Sequence, residues 1–244
     1  MLYICSLEAQ QMSLYIQQLI DEGEHQQQDF KFEISDSKKI ARSLTAFANT
    51  DGGRLLVGVK DNGAIAGVRS EEEIHMVEAA AQLYCQPEVS YATKEWNIHG
   101  KLVLEITVPK SKGQKHKAPD KNNNYKIFVR VKDQNLLADS ILLKVWKKQE
   151  SKAPVKIAFT EIEMQLLRYL DEYQRIEIDQ YMLIAQIKKR KAEGILIDFI
   201  LLGIIQLQLT EKQTWFQLQD AGFMDRINDY SGIAHPIIKH VAIQ

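Results

Sequence analysis

Along the chain the spacing of apolar residues shifts repeatedly between helical and strand periods. Leu7, Met12, Leu14, Tyr15, Leu19 and Ile20 make a broad apolar face for a helix that Ser6 can cap and that runs to about Asp21. Glu22-Gly23-Glu24 stops it. Asp29-Phe30-Lys31-Phe32-Glu33-Ile34 alternates with period two and predicts a half-exposed strand. Ser35-Asp36-Ser37 then offers N-caps for a helix whose Ile40, Leu44, Phe47 and Ala48 fall at helical spacing, ending at Asn49-Thr50-Asp51-Gly52-Gly53. Arg54 to Lys60 reads as a buried strand, Asp61-Asn62-Gly63 as a hairpin turn and Ala64 to Val68 as an antiparallel returning strand. Ser70-Glu71-Glu72-Glu73 opens a capped helix reaching roughly Tyr84. Strands are expected over Tyr91 to Trp96, Leu102 to Val108 and Tyr125 to Val131, with a helix from Leu136 to about Lys148 closing the domain.

Glu150-Ser151-Lys152-Ala153-Pro154 is the expected linker, since Pro154 disfavours helix in the residue before it. Beyond it, Thr160 and Glu163 form a capping box for a helix to about Tyr173. Two helical segments follow, near Ile178 to Ile187 and Arg190 to Leu202, and then a strand pair, Ile204 to Leu209 and Thr214 to Leu218. Three helices and a hairpin in that order are the sequence of a winged helix-turn-helix. The expected organisation is therefore a domain over 1–150, a winged-helix-like domain over 155–218 and a tail over 219–244. The fold class is α/β of the α+β kind: a mixed, mostly antiparallel sheet with flanking helices, plus the small second domain.

With 45% hydrophobic and 26% charged residues and five prolines in 244, the chain has the make-up of a globular protein with real cores. Its net charge of −1 gives no whole-chain attraction to phosphate, so an anionic partner needs a local basic surface. Two cysteines, Cys5 and Cys85, are too few for a disulfide framework, which points to a reducing, cytoplasmic compartment. The start lacks a basic n-region and does not read as a signal peptide. The most apolar stretch, Gly194 to Leu209, is interrupted by Asp198 and reads as core rather than as a membrane span.

The Asn49, Thr50, Gly52 and Gly53 turn lies between a helix and a buried strand, where glycines permit positive φ and close backbone approach. It reads either as a helix C-cap or as a set of exposed amides for an anion; it lacks the spacing of a P-loop or a dinucleotide fingerprint. Asp29-Phe30-Lys31, the helix ending in Ala46-Phe47-Ala48-Asn49-Thr50-Asp51-Gly52-Gly53, then Leu55 to Gly63 and Ile65-Ala66-Gly67, together resemble the AlbA-type domain of Schlafen proteins and many bacterial regulators. Phe128-Val129-Arg130-Val131 with Asn135 and Ala138 is similar to that family's closing strand and helix, so the resemblance spans about 20–148. It implies a mixed α/β domain that binds nucleic acid. Some Schlafen relatives are metal-dependent endoribonucleases with three acidic residues, which the resemblance places at Glu24, Asp29 and Asp61. Asp29 is a methylene shorter than the family's usual glutamate, and Lys60 stands where another aspartate is common. Three carboxylates from a loop, a strand and a turn could hold Mg²⁺ or Mn²⁺, which favour oxygen ligands; equally, Glu24 and Asp61 are ordinary helix-stop and turn residues.

The local basic surface is the segment carrying Lys110, Lys112, Lys115, Lys117, Lys121, Lys126, Arg130 and Lys132 against the single acid Asp120. Together with Lys60 it is the expected phosphate-tracking element, with Tyr125 and Phe128 available for stacking. A second basic run, Lys188-Lys189-Arg190-Lys191, opens the third helix of the second domain, where a winged helix meets DNA. The six histidines show no metal-ligand spacing. The leading expectation is a DNA-binding transcriptional regulator that needs no cofactor and works as a homodimer, with RNA also possible as partner. A Schlafen-type endoribonuclease requiring Mg or Mn and a nucleotide (ATP)-binding module are the alternatives, and Gly63 joins the glycine turn as a structural marker.

Overall fold

A computed structural model describes residues 13–151, 154–155 and 158–225. The Ser6 cap, Leu7, Met12, Cys5, Lys152-Ala153 of the expected linker and residues 226–244 of the expected tail lie outside the described residues. The chain divides into two units at Ala138/Asp139.

In the first unit a helix over 13–22 (α1) is followed by β1 (Gln28–Lys31), α2 (Ser37–Asn49), β2 (Gly53–Val57), α3 (Glu72–Leu83), β3 (Ala92–Ile98) and β4 (Lys101–Val108). Four strands form one sheet in the order β1-β2-β4-β3. The β1–β2 pair is parallel, with Asp29 opposite Leu55, and the other pairs are antiparallel, with Leu56 opposite Glu105 and Trp96 opposite Val103. Strand alternation supplies both faces of this sheet with a core. Leu55, Val57, Leu104 and Ile106 pack with Leu44 and Phe47 of α2 and Val77 and Ala81 of α3. Leu56, Phe30, Val59 and Val103 pack on the other side with Ile16, Leu19 and Ile20 of α1. Covered faces explain why Leu55 to Val59 carries no polar side chain.

Three further strands, β5 (Lys117–Pro119), β6 (Tyr125–Val131) and β7 (Gln134–Leu137), form a second antiparallel sheet in that order, and Ala118 and Phe128 join the α2 core. β6 has the bounds that alternation predicts, whereas β5 and β7 were not expected. The expected returning strand at Ala64 to Val68 is reduced to a bridge between Val59 and Ile65, because β2 takes its partners from β1 and β4 instead. The Asp61-Asn62-Gly63 turn is present, with Gly63 N–H donating to Lys60 O at 2.7 Å.

The second unit holds α4 (Ser140–Glu150), α5 (Glu161–Tyr173), α6 (Ile178–Ile184), α7 (Lys189–Leu201) and the hairpin β8 (Ile205–Leu209) and β9 (Thr214–Leu218). Its core gathers Leu166, Leu170, Tyr181, Leu196, Phe199 and Phe216. α4, expected to close the first domain, contributes Ile141 and Val145 to this second core and is tied to α7 by Lys144–Glu193 at 2.7 Å and by a Lys148–Asp198 ion pair. Asp139 caps it, accepting from Ile141 N at 2.6 Å. α5 starts in the expected capping box, with Thr160 N–H donating to Glu163 at 3.1 Å. Among the described residues no helix is long and apolar enough to cross a membrane.

Candidate nucleic-acid interface

α2 ends where Asn49 turns its side chain onto the neighbouring sheet. Its Nδ2 donates to His116 O at 2.8 Å and Phe128 O at 2.9 Å, and its Oδ1 accepts from His116 N at 2.8 Å. Thr50 Oγ1 donates to Ala46 O at 2.7 Å and accepts from Arg130 N at 3.0 Å. Gly52 sits at φ +71°, and a Cβ on Gly53 would come within 2.4 Å of the Phe47 ring. The turn is thus a clamp: it stops α2 and pins β5 and β6 beside it. Asn49→Ala leaves three buried backbone groups without partners, and a loss of about 3 kcal/mol is expected, measured by urea denaturation, with faster amide exchange at His116.

Of the three candidate acids, Glu24 and Asp29 meet. The Glu24 carboxyl neighbours that of Asp29 and accepts from Phe30 N at 2.8 Å. Asp29 is buried; Arg130 stands 3.5 Å from its Oδ1, and Lys31 Nζ lies 2.9 Å from its Oδ2 without the alignment of a hydrogen bond. Desolvation first, and then the Asp29 carboxylate, push the Glu24 carboxyl up to about 7. Asp61 lies on the exposed turn; it shares a shallow depression with Asp21, Gly23 and Phe30. Among the described residues no three His, Cys, Asp or Glu side chains form a group that could hold a metal ion.

The Glu24 shift has a sign. An unfolded glutamate loses its proton in the ordinary carboxylate range, whereas the folded one keeps it up to about pH 7. The stability linked to this proton is complete below the unfolded value and disappears as pH rises through about 7. Glu24→Gln is expected to flatten that decline, read as urea midpoints at mildly acidic and mildly alkaline pH.

The basic residues separate into three kinds. Lys112, Lys117, Lys121, Lys126 and Lys132 are exposed. Lys110 is exposed but lies 3.3 Å from Asp51, and Lys115 donates from Nζ to Asn49 O at 3.1 Å, so the clamp holds it. Lys60 is exposed, its Nζ 5.2 Å from the Phe32 ring centroid. Arg130 corrects the expectation of a phosphate contact: it is 2% exposed, the largest fully buried side chain among the described residues, and its donors are spent on the carbonyls of His25 and Gln28 and on Asn135 Oδ1. In the second unit Lys188, the N-cap of α7, and Lys189, Arg190 and Lys191 in its first turn are all exposed.

Residues 24–139 match the Schlafen AlbA_2 family. The match takes in the acid pair, the clamp and the lysine segment of the first unit. No curated protein matches the chain. Of solved structures, a Corynebacterium diphtheriae protein aligns at 17% identity and TM-score 0.43 over 88% of this chain and 45% of its own. The chain therefore spans less than half of that protein's length. The N-terminal domain of a Nitrosomonas europaea protein described as related to an ATP-dependent DNA helicase, RecG, aligns at 22% identity and TM-score 0.32, over 46% of this chain and 80% of its own.

Within residues 24–139 two further carboxylates, beyond the three candidate acids, are buried. Glu105 of β4 accepts from Trp96 Nε1 at 2.9 Å, and Tyr15 lies 2.8 Å from its other oxygen. Glu73 accepts from Ile34 N and Arg69 N, both at 2.8 Å, bracing the start of α3. Glu105 had a signal, a lone charge inside Leu102-Val103-Leu104-Glu105-Ile106. Glu73 had none, because an acid in a first helical turn is ordinary.

Proposed function

We propose that this chain is a DNA-binding transcriptional regulator of the cytoplasm that grips duplex DNA by its backbone phosphates. The observation that carries the reading is the set of exposed lysines, Lys112, Lys117, Lys121, Lys126 and Lys132, mounted on strands and loops that Asn49 anchors rigidly to α2. In a chain of net charge −1, such a segment is a local cationic face of the kind that displaces counterions from a duplex. The AlbA_2 match supports nucleic-acid binding. The order α5, α6, α7, β8, β9 supports a winged helix-turn-helix in the second unit. Four cations opening α7 oppose its dipole and cost helix stability, a cost that contact with phosphate would offset. Two copies on one duplex, related by a two-fold axis, complete the reading.

The test is the salt dependence of binding to a fluorescently labelled duplex by the full chain. The logarithm of the affinity is expected to fall linearly with the logarithm of salt concentration over about 50–200 mM. Affinity independent of salt would sink the reading.

A further inference from the structure

The second unit contains a cavity of about 220 Å³ whose lining includes Tyr169, Tyr173, Arg175, Glu177, Gln213 and Trp215. We propose that it binds one unstacked purine base, guanine above all, by stacking on its rings and by donation from Arg175. The pocket goes beyond the phosphate-gripping reading and rests on it only for the class of partner.

Local structure explains how these residues meet. Tyr169 and Tyr173 are four apart on α5, hence on one face, with ring centroids 4.5 Å apart and planes at 32°. Gln174, at φ +65°, ends α5 and folds the chain back so that Ile176 pairs with Phe216 of β9, N–H to O at 2.9 and 2.8 Å. Ile176 and Phe216 are buried, so alternation turns their neighbours Arg175, Glu177 and Trp215 to the opposite, open face. Three aromatic rings and a guanidinium thus border one small space.

The chemistry of that lining selects the ligand. Pockets for drug-sized molecules run to about 300–1,000 Å³, so this one suits a single planar ring system. Tyr173 is 56% exposed, an aromatic face open to stacking. Among the described residues neither the Arg175 guanidinium nor the Trp215 indole N–H has a hydrogen-bond or ion-pair partner. The Glu177 carboxylate is taken up in the capping box of α6. The Arg175 guanidinium and the Trp215 indole N–H are therefore the donors that the pocket leaves open, and they match the O6 and N7 acceptor edge of guanine.

The ligand chemistry has two sources, a base in a single strand and a free nucleotide, and the test separates them. The full chain is titrated against a labelled single strand alternating guanine and thymine, the same strand with abasic sites in place of guanine, and guanosine monophosphate as competitor. Tyr173→Ala and Arg175→Gln are each expected to weaken binding of the guanine strand from about 5-fold to about 150-fold while leaving duplex binding unchanged. The abasic strand should bind the wild type as weakly as the guanine strand binds the variants. Displacement by the monophosphate at concentrations comparable to the strand assigns the pocket to free nucleotide; no displacement assigns it to the strand. Wild-type affinity in both variants, or indifference to the abasic replacement, overturns the proposal. Lysine-segment variants that lose duplex binding leave this result untouched, so the two readings fail separately.

Discussion

Arg130→Ala is expected to destabilise the first unit by about 3–5 kcal/mol, the cost of removing one partner from a buried ion pair. The guanidinium donates to Gln28 O at 2.8 Å, to His25 O at 3.2 and 3.3 Å and to Asn135 Oδ1 at 3.2 Å. It also stacks 5.1 Å from the Phe47 ring centroid and faces Asp29 at 3.5 Å. One side chain from β6 therefore ties the segment before β1, β1 itself, the end of α2 and β7. Alanine would leave the Asp29 carboxylate buried with Lys31 as its remaining nearby cation, and would strip the donor from the buried Gln28 carbonyl. Lysine would restore charge without the fork that spans several acceptors. Trp146 and Trp215 lie in the second unit, so amide exchange across β1 and β2 is the cleaner measurement than total tryptophan fluorescence. Exchange in those strands should approach that of the unfolded chain. Unaltered exchange would mean that Arg130 is not the tie described. The double change Asp29→Asn with Arg130→Met should cost less than Arg130→Ala alone, because no unpaired charge remains.

Much of this framework is legible in the sequence wherever it depends on local periodicity or caps. The 3.6-residue spacing of Ile40, Leu44 and Phe47, the alternation of β6, the Thr160–Glu163 box and the β8–β9 hairpin are set by neighbours in the chain, and the structure has them near their expected bounds. Strand partnership depends on distant segments. Nothing near Arg54 announces that β2 pairs with β1 and β4, so the Asp61 turn reads as a longer hairpin than it makes. β5 is three residues in a lysine-rich stretch and leaves no period to detect. α4 has an apolar face that fits either neighbour equally well in sequence, and only packing assigns Ile141 and Val145 to the second core. The burial of Arg130 did leave a trace: it lies two residues from Phe128, on the same side of β6, and that side is covered by α2. Counting it as a surface cation ignored the strand's own alternation. Asn49 reads in the sequence as part of a helix stop, which it is; its three side-chain bonds to His116 and Phe128 belong to a contact about 70 to 80 residues away, which no spacing rule reaches.

The lysines of the first unit divide into those that brace the scaffold and those that stand exposed. Lys110 already has Asp51, and Lys115 already bonds the end of α2, so removing either would perturb the scaffold together with the charge. Lys112, Lys117 and Lys121 are exposed, and their replacement by alanine should leave the far-UV spectrum and the melting temperature nearly unchanged. If each contacts one duplex phosphate, the slope of log affinity against log salt should become shallower by about 2.7, at ~0.9 per phosphate. For affinities that converge at about 1 M salt, that slope change corresponds to two to three decades of weaker binding near 0.1 M. An unchanged slope in the folded triple variant would remove this face from the interface. The matching substitution of Lys188, Lys189 and Lys191 at the start of α7 then decides whether the phosphate contacts lie in the second unit. Arg130→Ala should also abolish binding, but with loss of the amide protection that the triple variant keeps, so scaffold and contact residues separate by their signatures as well as by their positions.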